Sequence, residues 1–290
     1  MDNPKTKPRT VHRLVTPQAV TDGAGVRLRR SIASYALDYL DPFLLLDEFR
    51  SDDPNDYIAG FPMHPHRGIE TVTYMLAGVV RHKDTLGNSG TIQAGDVQWM
   101  TAGGGIMHEE MPEQRDGLLF GFQLWVNLPA KDKMMAPRYQ DILEEQIPEV
   151  KRETGVTVRV IAGTVDGIKG PVTDIVANPT YLDVAMPPHS RFIQPIERGH
   201  TAFVYVFDGE AALGPSSPEP GIQAPVLAIL GDGDHVEAHT ADTPARFLLI
   251  SGKPLGEPIA RYGPFVMNTR EEIRQALEDI RNSTFVYRAE

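Results

Sequence analysis

Two pairs of metal-ligating residue types constrain this chain more than any other feature: His64 and His66 in H-P-H-R-G, and His108 and Glu110 in I-M-H-E-E-M-P. Each pair is spaced i, i+2, and successive side chains on a β-strand alternate faces, so both members of a pair project from one face. The intervening sequence is rich in glycine and in strand formers, so a sheet folding back on itself can bring the two pairs together. Three imidazoles and a carboxylate suit a divalent first-row metal. The chain has no cysteine, which removes both disulfides and thiolate zinc ligation. A single histidine in a half-buried strand is more often a hydrogen-bonded structural residue than a ligand. Two same-face pairs flanking a hairpin-rich stretch reverse that weighting.

Strand signals dominate up to about Asn127. Runs such as G-V-R-L-R-R (Gly25 to Arg30), T-V-T-Y-M-L (Thr71 to Leu76), V-V-R-H-K-D (Val79 to Asp84) and L-L-F-G-F-Q-L-W-V (Leu118 to Val126) are bounded by Gly, Asn, Asp or Pro. A polar stretch from Asn127 to Pro148 reads as short helical turns linking two halves. Strand character returns with Val156 to Gly163, Tyr181 to Met186, Phe203 to Phe207 and Phe247 to Ile250. Thr269 and Glu272 form a capping-box pattern that predicts a final helix to about Arg281. The expected fold is all-β: two tandem jelly-roll barrels and a C-terminal helix. The expected division is a metal-binding domain over 1–142 and a second domain over 143–290.

The spacing of the first half, with Glu70 after His66, a turn at Gly78, a second turn at Gly95 and Asp96, and then His108, resembles the two-part cupin signature. The resemblance narrows to the pirin family on five segments. They are F-L-L-L-D-E-F (Phe43 to Phe49), H-P-H-R-G (His64 to Gly68), G-D-V-Q-W-M-T-A-G (Gly95 to Gly103), L-W-V-N-L-P-A-K-D-K-M (Leu124 to Met134) and G-P-F-V-M-N-T-R-E-E-I (Gly263 to Ile273). The resemblance implies a bicupin whose first barrel holds the metal on His64, His66, His108 and one carboxylate. General cupin spacing favours Glu70 for that role; the pirin pattern H-x-E favours Glu110, which is adopted here both as ligand and as proton acceptor. The implied cofactor is Fe(II), with Mn, Ni, Co or Zn compatible with the same donors. The implied activity is that of a quercetin 2,3-dioxygenase, which opens a flavonol ring with dioxygen and releases carbon monoxide. The alternative is an interaction protein, a transcriptional or metabolic cofactor whose metal redox state tunes binding to a protein partner.

The second half reads as a degenerate repeat. With Gly209 as the counterpart of Gly78, His64 falls on Pro195, His66 on Glu197 and Glu70 on Thr201. Counting from the turn at Gly231 places Pro244 or Arg246 at the position of His108. No metal is expected there. Arg67 alternates away from the His64/His66 face and is expected in a structural ion pair. Gly103 to Gly105 precede no Lys-Ser/Thr and no helix, so they are read as a sharp turn rather than a phosphate cradle. A formal net charge of −11 argues against nucleic acid as a partner. The first ten residues hold no apolar signal core and no segment is long and apolar enough to span a bilayer. The expectation is a cytoplasmic monomer whose partners are a flavonol-like small molecule and dioxygen.

Overall fold

The computed structural model describes residues 6–113, 117–215 and 221–286. They form two compact units, Gln18–Glu144 with Leu255–Glu290, and Met1–Pro17 with Glu145–Pro254. The chain passes between units close to the expected boundary at 142/143, and the two termini are grouped across it. The N-terminal strand belongs with the second half and the C-terminal helix with the first. Both exchanges have a local cause, given below.

The chain opens with β1 (Val11–Val15). The first barrel then comprises β2 (Gln18–Asp22), β3 (Val26–Ile32), β4 (Phe43–Ser51), β5 (Phe61–His66), β6 (Ile69–Ala77), β7 (Val79–Asp84), β8 (Ser89–Gln93), β9 (Val97–Thr101), β10 (Ile106–Glu113), β11 (Leu119–Asn127) and β12 (Arg138–Ile142). One sheet runs β12-β9-β6-β11-β4-β3-β2 and the other β5-β10-β7-β8. Period-two patterning sets the faces: β3 buries Val26 and Leu28 and exposes Arg27 and Arg29. Val26, Leu28, Phe49, Met75, Val80, Ile92 and Leu119 form one apolar cluster within this barrel.

The second barrel comprises β13 (Glu149–Lys151), β14 (Thr157–Ala162), β15 (Thr180–Met186), β16 (Arg191–Pro195), β17 (Thr201–Leu213), β18 (Val226–Leu230), β19 (His235–His239) and β20 (Ala245–Gly252). Its main sheet runs β1-β18-β17-β20-β15-β14-β13, the same order as the first barrel's larger sheet. The start of the chain therefore occupies the edge that β12 fills in the first barrel. Val11 to Val15 pair with Leu227 to Leu230, which is why β1 belongs to this unit.

The barrels also correspond in register. His82, four residues after Gly78, pairs with Glu110, and Leu213, four residues after Gly209, pairs with Ala238. His108 lies opposite His64, and Val236 lies opposite Gln194. The counterparts of His64, His66, His108 and Glu110 are thus Gln194, Ile196, Val236 and Ala238. This corrects the sequence alignment with Pro195, Glu197 and Pro244 or Arg246. The connection into β17 is one residue longer than that into β6. In addition, the Gly231 turn follows β18 rather than preceding it, so counting from it began one strand late. Ile196, Val236 and Ala238 lie in a core filled by Val158, Leu182, Phe192, Val204 and Phe247.

After the second barrel the chain forms β21 (Ala260–Tyr262), β22 (Phe265–Met267) and α1 (Arg270–Arg281). The capping box is present: Thr269 accepts from the Glu272 backbone, and Glu272 accepts from the Thr269 backbone. Ile273 and Ala276 pack with Phe265, Met267 and Phe285. Arg67 holds this segment to the first barrel. Its guanidinium donates to Gly104 O at 2.7 Å, to Asp279 at 2.6 Å and to Phe285 O at 3.1 Å, which is the structural ion pair expected of it. Two glycines permit the approach. A Cβ on Gly68 would stand 2.1 Å from Val266 O, and one on Gly105 would stand 2.3 Å from Phe285 O.

Candidate metal centre

β5 and β10 run side by side with His64 directly opposite His108, so cross-strand pairing completes what same-strand spacing begins. Ring centroids lie 4.8 Å apart for His64–His66, 4.4 Å for His64–His108 and 5.0 Å for His66–His108. One ligand nitrogen from each of the three lies within 4.8 Å of the others, and this is the one such donor group among the described residues. The alternation in β10 holds strictly, with His108 and Glu110 buried and Met107 and Glu109 only partly so.

The donor chemistry fits a divalent ion. His64 Nδ1 lies 3.0 Å from Pro62 O, and donation there leaves the Nε2 lone pair for the centre. His64 Nε2 and His66 Nε2 are 2.9 Å apart, close to the ~3.0 Å expected between adjacent donors on an ion with ~2.1 Å metal–nitrogen bonds. Both ring nitrogens of His108 are buried without a hydrogen-bond partner among the described residues. A buried imidazole with no partner is costly unless something else occupies its lone pair. All three rings are held in the neutral, donating form. Burial lowers His64, with His108 adding to the effect; burial, His108 and His64 take His66 well down; burial, then His82, push His108 to about 4.

Glu110 lines the cavity that His64 and His66 border. Its Oε1 accepts from Thr73 Oγ1 at 2.9 Å, and Thr73 Oγ1 lies 2.7 Å from the Gln123 side-chain amide. One hydroxyl hydrogen cannot serve two acceptors, so this chain is satisfied when Gln123 presents its NH2 to Thr73 and Thr73 donates to Glu110. Glu70 stands elsewhere. It pairs with Thr101 across β6 and β9, accepts from Thr101 Oγ1 at 2.8 Å, and lies three residues from Thr73, on the opposite face of β6. The count of four from His66 suggested a shared face, but Gly68 at φ +80° separates β5 from β6, so the parity is not carried across.

Two features escaped the sequence reading. His82 and Asp84 sit opposite Glu110 and His108 on β7, and both are buried. They form a third i, i+2 pair, and V-V-R-H-K-D could have revealed it. Trp125, placed above only within a strand run, lies edge-on to His66 at 5.1 Å. The inner cavity, about 70 Å³, has Val26, Leu28, Phe49, Val80 and Leu119 on its walls. A vestibule of about 520 Å³ shares His64, His66 and Trp125 with it and is also bordered by Asp22, Arg30, Arg261 and Pro264. Arg30 grips Asp47 through two bonds of 2.8 and 2.7 Å and Asp22 through one of 2.6 Å. Burial raises Asp47 to about 6 despite that grip.

Among the described residues no helix is long and apolar enough to cross a membrane. Residues 25–126 match the pirin family and residues 181–286 match the pirin C-terminal cupin domain. A Pseudomonas aeruginosa protein, provisionally named a quercetin 2,3-dioxygenase, is 47% identical over 96% of this chain and 98% of its own length. Human pirin is 46% identical over 91% of this chain and 89% of its own. A crystal structure of quercetin 2,3-dioxygenase from Acinetobacter baumannii superimposes with a TM-score of 0.86 at 35% identity, covering 96% of this chain and 98% of that one. With both cupin halves matched in order and near-complete coverage of its relatives, the chain belongs to the pirin family.

Proposed function

We propose that this pirin is a metal-dependent dioxygenase of flavonol-like enols, with the ion held by His64, His66, His108 and Glu110. The observation that carries the reading is the convergence of three buried or half-buried imidazoles, with His108 lacking a hydrogen-bond partner among the described residues, beside a cavity that His64 and His66 border and apolar side chains wall. When bound, Fe(II) supplies the one-electron exchange with dioxygen that a closed-shell enolate lacks. Mn, Co and Ni suit the same donors, and zinc would supply only Lewis acidity. The names of the Pseudomonas and Acinetobacter relatives support this reaction class.

The chain's own residues divide the remaining work. Glu110, tied through one oxygen to Thr73, accepts the proton of the substrate's enolic hydroxyl with the other. His64 keeps its orientation through Pro62 O. Val26, Leu28, Phe49 and Leu119 exclude water from the reacting atoms. Trp125 offers an aromatic wall at the junction of cavity and vestibule, and the vestibule's 520 Å³ lies within the ~300–1,000 Å³ range of small-molecule sites. The protein is read as a cytoplasmic monomer whose metal is confined to the first barrel.

The test is aerobic incubation of Fe(II)-loaded protein with quercetin. The long-wavelength absorbance should fall as oxygen is consumed in equal amount, the zinc form should be inert, and His108→Ala should abolish the signal. An iron-loaded, folded sample that leaves quercetin untouched would reject the reading.

A further inference from the structure

We infer that Arg261 forms an anion subsite in the vestibule and selects planar aromatic substrates that carry a carboxylate away from their enol oxygen. The inference rests on the flavonol reading above and adds the substrate's charge to it.

Arg261, on β21, borders the vestibule together with His64, His66 and Trp125. Its Cζ lies 5.2 Å from the centre of the Trp125 ring, and Trp125 in turn meets His66 edge-on at 5.1 Å. A ring that packs against Trp125 with its enol oxygen toward the histidines therefore directs its far substituent to the neighbourhood of this guanidinium. The head group is under-used. Of the five N–H donors of a guanidinium, one bonds Leu44 O at 3.2 Å and a second makes a long contact with Gly263 O at 3.5 Å. Among the described residues no carboxylate lies within bonding distance of it.

The other charged groups beside the vestibule bond one another rather than Arg261. Asp22 and Asp47 both bond Arg30, so two acids share one cation while Arg261 has neither. Burial and the nearby Arg30 charge lower Arg261, and Asp38, Asp47 and Asp22 offset this only at a distance. A guanidinium fork with free parallel N–H groups matches a carboxylate in two bonds. Stacking on Trp125 alone would leave those donors to water, and that is the reading the experiment must exclude.

The experiment is calorimetric binding to the whole chain of two probes of the same shape, 3-hydroxyflavone and 3-hydroxyflavone-4′-carboxylate. Wild type should bind the carboxylate about tenfold tighter, a difference of ~1.4 kcal/mol. Arg261→Gln should bring the ratio to about one, Arg261→Lys should keep part of it, and added salt should erode it. Equal affinities in wild type, or a preference that survives in Arg261→Gln, would overturn the subsite. If neither flavonol binds, the flavonol reading fails, and benzoate decides the subsite by itself. Benzoate binding lost in Arg261→Gln supports it, and benzoate binding unchanged or absent in wild type overturns it.

Discussion

Replacing Glu70 with Gln should remove a specific pH dependence of stability and leave the metal centre intact. Glu70 is 1% exposed, and burial raises its carboxyl from an ordinary 4.5 to about 7, against the lowering effect of the Thr101 hydrogen bond. The folded state therefore holds a proton that the unfolded chain releases between pH 4.5 and 7. In that window the unfolded state binds fewer protons, so stability falls as pH rises. The contribution is fully present below pH 4.5 and is lost through about pH 7. At ~1.4 kcal/mol per pH unit, the loss amounts to about 3 kcal/mol. Gln keeps an oxygen for Thr101 Oγ1 and has no proton to release. Asp47 is raised for the same reason and also loses stability with pH, so the informative quantity is the difference between wild type and variant. Urea denaturation from pH 4.5 to 8 should show Glu70→Gln gaining about 3 kcal/mol on wild type across the range. A difference that stays flat with pH would refute the reasoning. Weakened iron retention in Glu70→Gln would refute its placement on the face away from the histidines.

Glu110→Gln should weaken iron retention about 10–100-fold, and Thr73→Val, nearly isosteric but without the hydroxyl, should reproduce part of that loss in a chelator-competition assay. Full retention in both variants would remove Glu110 from the centre. Arg67→Met should destabilise the fold by about 3–5 kcal/mol in chemical denaturation, because it strands Asp279 and the carbonyls of Gly104 and Phe285. A loss below about 1 kcal/mol would show that Arg67 does not anchor the C-terminal segment.

The centre was legible because strand alternation is local. His64 with His66 and His108 with Glu110 needed only period two, and β10 keeps that period through Glu113. What needed a register across strands was read less well. Glu70 looked to be on the site's face because no count of residues shows that Gly68 ends one strand and frees the next to turn its other face. The second barrel's empty positions were displaced because one extra residue before β17 shifts every alternation that follows. His82 and Asp84 carried the same local signal as the proposed ligands, but their place opposite Glu110 and His108 is a property of β7–β10 pairing. The exchange of the termini was not legible at all. Whether Val11 to Val15 complete the near or the far sheet depends on which edge is open, and an edge is a feature of the assembled barrel.

The most direct test of the metal centre is elemental analysis of protein purified without chelators, beside the double variant His64→Ala, His66→Ala. Among the described residues the histidines converge only in the first barrel, and Gln194, Ile196, Val236 and Ala238 stand at the matching positions of the second. Wild type should hold about one divalent ion per chain and the double variant none. Two tightly held ions in wild type, or one that persists in the double variant, would contradict this.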